Sequence, residues 1–302
     1  MTRQSKLAAL ADAVDLVEEG SSLALGGVVH TNRPAVFVRE MVRQRRGPVV
    51  LLSSPGSGWD ADLLIAAGLV TRTVLPMVTM AQHGLAPSFR AASEAGEIET
   101  AYMDAMSQLA GYLAGGYGHP FHLIGSVEGT DIVHDESLFD VLTDSSGGRH
   151  RAVRAIVPDL CVLHVEEADE FGNVRHKRGR GADALMTRAA RRTVVFTDRV
   201  VSNHEVRRNP HLTTIPGNLV SMVIEAPFGA HPAATAEYNA DEEHLARYWQ
   251  AAESRRRGSP EELDAYLEEF VLGPADHAAY REVIGGTELE RRLRKEMTDA
   301  LA

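Results

Sequence analysis

The amino-acid sequence predicts an α/β protein, a mostly parallel sheet with helices on both faces, followed by a helical C-terminal extension. Three observations carry this expectation. Short, nearly continuous apolar runs recur at residues 22–26, 49–52, 73–80, 155–165 and 193–197, as strands buried on both faces require. Between them stand segments of helical periodicity and loops rich in Gly, Ser and Pro, the strand–loop–helix grammar of parallel sheets. After Pro232 strand formers become scarce, and residues 241–252, 260–272 and 287–301 read as charged helices. The chain therefore divides into an α/β domain at residues 1–235 and a helical extension at 236–302, packed on the same domain.

Residues 5–17 carry Leu7, Leu10, Ala11, Val14 and Val17 at helical spacing, and Glu18-Glu19-Gly20 ends that helix. Ser22-Leu-Ala-Leu-Gly26 is a short buried strand that runs into Gly27 and a polar segment stopping at Pro34. Residues 35–44 return to helical periodicity, with Phe37, Val38, Met41 and Val42 on one face. Val49-Val-Leu-Leu52 is the next strand, a Ser/Pro/Gly loop follows at 53–58, and Gly68 closes an amphipathic segment at 60–67. Further helical stretches at 107–113 and 182–191 interrupt the later strands.

With 302 residues, 44% hydrophobic and 24% charged, the chain has material for a sizeable core, which excludes disordered, collagen-like and fibrous classes. Lys and Arg number 31 against 42 Asp and Glu, a net charge of −11 that repels a phosphate backbone or an anionic leaflet. Nucleic acid and membrane are therefore not expected as partners. Cys161 is the single cysteine and cannot form an intrachain disulfide. The first residues lack the apolar stretch of a signal peptide, and no window has the length to cross a bilayer, so a cytoplasmic protein is expected. Common nucleotide, zinc-protease and serine-hydrolase motifs are missing. His119 and His122 are three apart, but Pro120 disfavours a helix there and no carboxylate stands at ligand spacing, so no metal is expected.

The informative segment is Glu19-Gly-Ser-Ser-Leu-Ala-Leu-Gly26-Gly27-Val-Val-His30-Thr-Asn32-Arg33-Pro34. Adjacent glycines at a strand's carboxyl end let a ligand approach the backbone and turn N–H groups toward an anion; they also serve a tight βα turn that needs positive φ. Both readings stand at this point. His30 and Asn32 are the polar candidates of this loop, and Ser53, Ser54 and Ser57 those of the next strand-end loop. Both loops are expected at the carboxyl edge of the sheet, where open α/β folds bind ligands.

That segment resembles the first signature of the family I coenzyme A transferases. Gly20, Leu23, Ala24, Leu25, Gly26, Gly27 and Pro34 match in register, while Glu19, Val28 and Asn32 depart from the usual Asp/Asn, Phe and Gly. Asn32 tolerates the left-handed conformation that a glycine would supply. Residues 158–173, ending in Ala168-Asp169-Glu-Phe-Gly172-Asn173, resemble the family's strand and Ala-Asp-x-x-Gly-Asn turn. Pro216-Gly217 and the stretch Val223 through Glu225, Pro227, Gly229, His231 and Pro232 are similar to the end of the alpha subunit in glutaconate CoA-transferase-like members.

The resemblance implies a CoA-transferase/NagB-like fold and an alpha-type subunit with acyl-CoA and a carboxylic acid as substrates. In the family, a glutamate attacks the acyl-CoA thioester and carries CoA as a glutamyl thioester; in two-subunit members it lies in a Ser-Glu-Asn-Gly context on the beta subunit. No such tetrapeptide occurs here, and Ser93-Glu94 leads into Ala95-Gly96. No catalytic residue is therefore expected in this chain; a partner beta subunit supplies the glutamate. Gly26, Gly27, His30, Asn32, Ser53, Ser54 and Ser57 are its expected substrate and CoA-binding residues. Two alternatives accompany this reading. Related hydrolases that open a cyclic acyl-CoA in steroid-ring degradation use a glutamate after Met-Asp, where this chain has Met103-Asp104-Ala105. A non-catalytic CoA-ester binding protein is the other. The basic run from Arg175 to Arg180 either grips CoA phosphates or forms a solvated loop, beside the acids Glu166, Glu167, Asp169 and Glu170.

Overall fold

The computed structural model describes residues 3–125 and 127–295. In chain order it begins with helix α1 (Leu10–Val14), strand β1 (Ser22–Leu25), α2 (Ala35–Arg43), β2 (Val49–Leu51), β3 (Gly56–Ser57), α3 (Trp59–Ala66), β4 (Val70–Val74) and β5 (Met77–Val78). There follow α4 (Pro87–Ala95), β6 (Glu99–Ala101), α5 (Ala105–Tyr117), β7 (Phe121–Ile124), β8 (Phe139–Thr143), β9 (Arg149–Arg154), β10 (Leu160–Asp169) and β11 (Val174–Arg175). The rest comprises α6 (Asp183–Ala189), β12 (Arg192–Val201), α7 (Asn203–Arg208), β13 (Met222–Glu225), α8 (Glu242–Arg256), α9 (Glu261–Leu267), α10 (His277–Val283) and α11 (Gly286–Leu293).

The main sheet runs β13-β12-β10-β1-β2-β4-β6 with every neighbouring pair parallel, and β11 adds antiparallel to β10. Strand order climbs away from β1 in one direction and resumes with β10 in the other. The reversal between β1 and β10 opens a crevice at their carboxyl ends.

Side chains alternate between two cores, as period-2 strands demand. Leu23, Leu25, Leu160, Val162 and Phe196 face a cluster completed by α2, α3 and residues of α8 to α10, including Leu245, Tyr248, Tyr266 and Tyr280. Ala24, Cys161, Leu163 and Val195 face a second cluster with Tyr112 of α5 and Met186 of α6. The C-terminal helices thus share a core with the sheet.

Some expected boundaries move. The helix expected over 5–17 contracts to α1, because Asp12 Oδ2 accepts the Ala9 amide at 2.9 Å while Leu7 pairs with Val223 in an isolated bridge. The apolar run 73–80 splits into the end of β4 and the short β5, interrupted at Leu75-Pro76. The run 155–165 yields a strand that starts only at Leu160 and continues to Asp169, all ten residues buried. An antiparallel sheet, β7-β9-β8, is an addition to the expected fold; β9 is largely polar while β8 mixes apolar and polar residues, and their turn is fixed by Asp144 Oδ1 accepting the Ser146 and Gly148 amides. Of the helix expected over 287–301, residues 286–293 are helical and 296–301 lie outside the described residues.

Candidate functional site at the carboxyl edge

The loop after β1 forms one wall of the crevice. Gly27 has φ 81°, and a Cβ there would sit 2.3 Å from Thr31 O and 2.5 Å from Asn32 O. The amides of Gly26, Gly27, Val28, Val29 and Asn32 donate to Val162 O, Asp183 Oδ1, Thr31 O, Gly56 O and Ala234 O respectively. Gly27 therefore serves the turn, Gly26 leaves no room for a Cβ beside Leu163 and Asp183, and the amides hold the loop through bonds within the chain. Asn32 adopts φ 53°, as its tolerance of the left-handed region anticipates, and Val29, a β-branched residue, is held at φ 49°. A strained backbone of this kind persists only where its surroundings over-determine it.

His30 and Asn32 are both buried. His30 Nε2 and Asn32 Oδ1 find no hydrogen-bond partner among the described residues. Burial holds the His30 pKa down to about 4, against the opposing pull of Asp60, so the ring is neutral near pH 7. Asn32 Nδ2 donates to Glu166 Oε1 at 3.2 Å.

The serine loop after β2 forms the next wall. Ser53 Oγ is buried without a partner among the described residues, Ser54 Oγ accepts from Arg33 Nη1 at 2.8 Å, and Ser57 Oγ donates to Ser54 O at 3.2 Å. Below it, Gln108 Nε2 donates to the carbonyls of Leu52, Ser53 and Val74 at 3.0, 3.0 and 3.1 Å. Between the walls lies a fully buried ion pair absent from the sequence expectation. Arg33 Nε and Nη2 reach Asp60 Oδ2 at 2.8 and 2.5 Å, with side-chain exposures of 1% and 0%. Its signal in the sequence is Asp60, which with Asp62 stands in the first turn of the otherwise apolar helix Trp59–Ala66, although burial of such a charge is not itself legible there.

The third wall is the end of β10. Glu166, 1% exposed, accepts from Asn32 Nδ2, from the Ala236 amide at 2.9 Å and from the Lys177 amide at 3.2 Å. Burial works to raise its pKa, but these N–H groups outweigh it and keep Glu166 ionised below its ordinary range. One carboxylate thus ties together loops following β1, β11 and β13. A cleft of about 540 Å³ opens beside it, lined by Lys177, Asp198, Arg199, Phe228 and Arg294 among others.

The basic run splits by role. Arg175 is buried and donates to the carbonyls of Glu205 and Asn209 at 3.0 and 3.1 Å; His176 Nε2 lies 3.1 Å from Asp183 Oδ2. Lys177 pairs with Glu167 and Glu237 at 3.1 and 2.6 Å. Arg175 and His176 are therefore internal scaffolding, while Lys177, held in its ion pairs, and Arg178 and Arg180 are exposed cations. Asp169 closes its turn as read from the sequence: Oδ1 accepts the Phe171 and Asn173 amides, and Oδ2 accepts from Asn173 and Asn203 at 2.7 Å each.

At residues 103–107, Asp104 caps α5 by accepting the Met106 and Ser107 amides at 2.9 and 3.2 Å, and Ala105 is the first helical residue. His119 stacks on Tyr117 and His122 bonds Leu123 O. The one grouping of metal-ligating type among the described residues is His231, Asp241 and His244. Its donors fit a hydrogen-bonded chain: His231 Nδ1 meets Tyr280 Oη at 2.7 Å and Nε2 meets Asp241 Oδ2 at 3.1 Å, while His244 Nε2 meets Tyr266 Oη at 2.7 Å. Among the described residues no helix is long and apolar enough to cross a membrane.

A mostly parallel sheet reversed at β1/β10, with a glycine turn and a buried carboxylate at the reversal, defines an α/β protein of the open-sheet ligand-binding class. Residues 7–226 match the coenzyme A transferase family, and the chain belongs to that family. An uncharacterized protein of Archaeoglobus fulgidus is 31% identical over 286 residues, 93% of this chain; the chain spans 62% of that relative's length. The A-type subunit of glutaconate CoA-transferase from Acidaminococcus fermentans is 28% identical over 308 residues, covering 94% of this chain and 93% of the relative. A cholesterol ring-cleaving hydrolase IpdA subunit of Rhodococcus jostii is 27% identical over 91% of this chain and 95% of its own. Among solved structures, glutaconate coenzyme A-transferase from Acidaminococcus fermentans superposes with a TM-score of 0.90, 26% identity, over 97% of this chain and 96% of that one. A variant of the decarboxylase AibA/AibB superposes with a TM-score of 0.76, 27% identity, over 88% and 99%.

Proposed function

We propose that this chain is the alpha-type subunit of a two-subunit cytoplasmic CoA transferase that moves CoA between carboxylic acids. In this reading residues 1–235 form the transferase unit, and 236–302 an extension packed on it. The observation that carries the proposal is the likeness to glutaconate coenzyme A-transferase along nearly the whole of both chains. Acyl-CoA and a carboxylic acid are the substrates, and the catalytic glutamate belongs to a beta-type partner. A carboxylate is a weak nucleophile, so the assembled site must exclude water and place donors at the developing oxyanion. The surface around the crevice suits a partner. Val28, Met77, Tyr102 and Met106, each just beyond the carboxyl end of a main-sheet strand, are exposed apolar side chains that a docked subunit would cover. Within the crevice His30, Asn32 and Ser53 offer substrate their polar groups, while Gly26, Gly27, Ser54 and Ser57 shape the two loops.

A hydrolase of the ring-opening type needs a carboxylate within reach of the reacting carbonyl. Asp104 is engaged as a helix cap and Ala105 has no proton chemistry, which disfavours that route. The test is to purify the chain with and without its beta-type partner, incubate with acyl-CoA, and search the partner for a covalent glutamyl-CoA adduct by mass spectrometry. An adduct that disappears on adding an acceptor acid supports transfer. Robust turnover by the single chain, or release of free CoA or a ring-opened ester without an adduct, overturns it.

A further inference from the structure

A run of buried polar side chains joins the C-terminal helices to the crevice. Trp59 Nε1 donates to Tyr266 Oη at 3.2 Å, and Tyr266 Oη in turn meets His244 Nε2 at 2.7 Å. The His244 amide donates to Asp241 Oδ1 at 3.1 Å, and Asp241 Oδ2 faces His231 Nε2. Asp241 is ionised, so it can only accept; His231 therefore carries its proton on Nε2 and accepts from Tyr280 Oη at Nδ1. Arg39, on α2, donates to His231 O at 2.7 Å and lies 3.6 Å over the Tyr280 ring. His231 is thus gripped on both ring nitrogens and on its carbonyl, by three separate elements.

What His231 holds is the strap after β13. Gly229 O accepts the Val36 amide, and the Ala230 amide donates to Tyr238 Oη at 3.2 Å. Ala234 then pairs on both sides with the candidate loop: its amide donates to His30 O and its carbonyl accepts the Asn32 amide, both at 2.8 Å. Two residues later the Ala236 amide donates to Glu166. Loop 30–32 and the Glu166 carboxylate therefore take their position from a strap that is fixed through the His231 ring.

We propose that His231 is a positioning residue, whose imidazole, clamped between Asp241 and Tyr280, sets the strap that holds His30, Asn32 and Glu166 in register at the carboxyl edge. It touches none of the reacting groups itself and acts through Ala234 and Ala236. This deepens the transferase reading, on which it rests for its relevance to catalysis, but its test needs no substrate.

The test is amide hydrogen exchange on the full chain, in Tyr280→Phe and in Asp241→Asn. Tyr280→Phe keeps the ring over Arg39 and removes the hydroxyl. Asp241→Asn keeps a carbonyl oxygen to cap α8 and offers His231 Nε2 a donor where it had an acceptor. In both, exchange at the Asn32, Ala234 and Ala236 amides should rise at least tenfold while the β10 and β12 amides keep their rates. His231→Gln, which retains one donor and one acceptor, should restore part of the protection that His231→Phe loses. Unchanged exchange at the three amides overturns the proposal, as does a uniform rise that includes β10 and β12, which would mark general loss of stability. Failure of the glutamyl-CoA test alone would leave these exchange results untouched.

Discussion

Arg33 and Asp60 show how much of a site can rest on one buried pair. Neither side chain meets water, so removing one charge strands the other in a low-dielectric setting, at a cost of about 3–5 kcal/mol. Arg33→Met should therefore lower the free energy of unfolding by that amount in urea titration, and Arg33→Met with Asp60→Leu should recover much of it. His30 makes a second prediction, through pH. Its pKa in the fold, about 4, lies below the ordinary 6.5, so the unfolded chain binds the proton more readily. The stability contribution is complete above pH 6.5 and declines as pH falls toward 4, by an amount on the order of 3 kcal/mol. Denaturation at pH 7.5 and 4.5 should show His30→Gln losing less stability than the parent over this interval. The polar loop residues are legible in the sequence because polar groups at a strand's carboxyl end have a known use. Arg33, Asp60 and Glu166 do not stand out there as site residues, because burial of a charge is decided by residues distant in the chain.

At the level of elements, the βα turn after β1 combines positive φ at Gly27 with backbone oxygens where a side chain would stand. Gly27→Ala should cost more than 1 kcal/mol, since both the conformation and the space oppose it. Thermal unfolding of the isolated chain checks this; an unchanged midpoint would show that the loop adapts. The Asp104 cap of α5 allows a milder test. Asp104→Ala should cost about 1 kcal/mol, measured by chemical denaturation, while Asp104→Asn should cost less. Strands buried on both faces, such as β1, β2 and β12, are legible because their apolar runs are continuous. The β7-β9-β8 sheet is not, because one face meets solvent and its β9 strand, Arg149–Arg154, carries three arginines and a histidine among its six residues. The late start of β10 within its apolar run has a similar cause: Ala155 to Val157 are apolar, yet they pass over α5, with the Ile156 amide on Gly111 O, before the strand begins.

For the molecule as a whole, the C-terminal helices complete the main core rather than decorate it. Leu245, Tyr248, Tyr266, Phe270 and Tyr280 are buried with sheet residues. At roughly 1.5–3 kcal/mol each, their loss is on the order of the entire stability of a typical domain. A chain ending at residue 235 should fail to reach the native state, seen as loss of the near-ultraviolet circular dichroism of the full chain. The reversal of strand order has a consequence during synthesis. Leu25 of β1 pairs with Val162 of β10, so the ribosome must add 137 more residues, from 25 to 162, before that edge is covered. At cellular elongation rates this takes roughly 7 to 30 s, during which a short apolar strand stands open beside its neighbours' hydrogen-bonding groups. The crevice thus comes into being only after β1, β2, β4 and β6 have all been made, and the nascent chain, rather than the finished subunit, is where chaperone dependence and mispairing should concentrate.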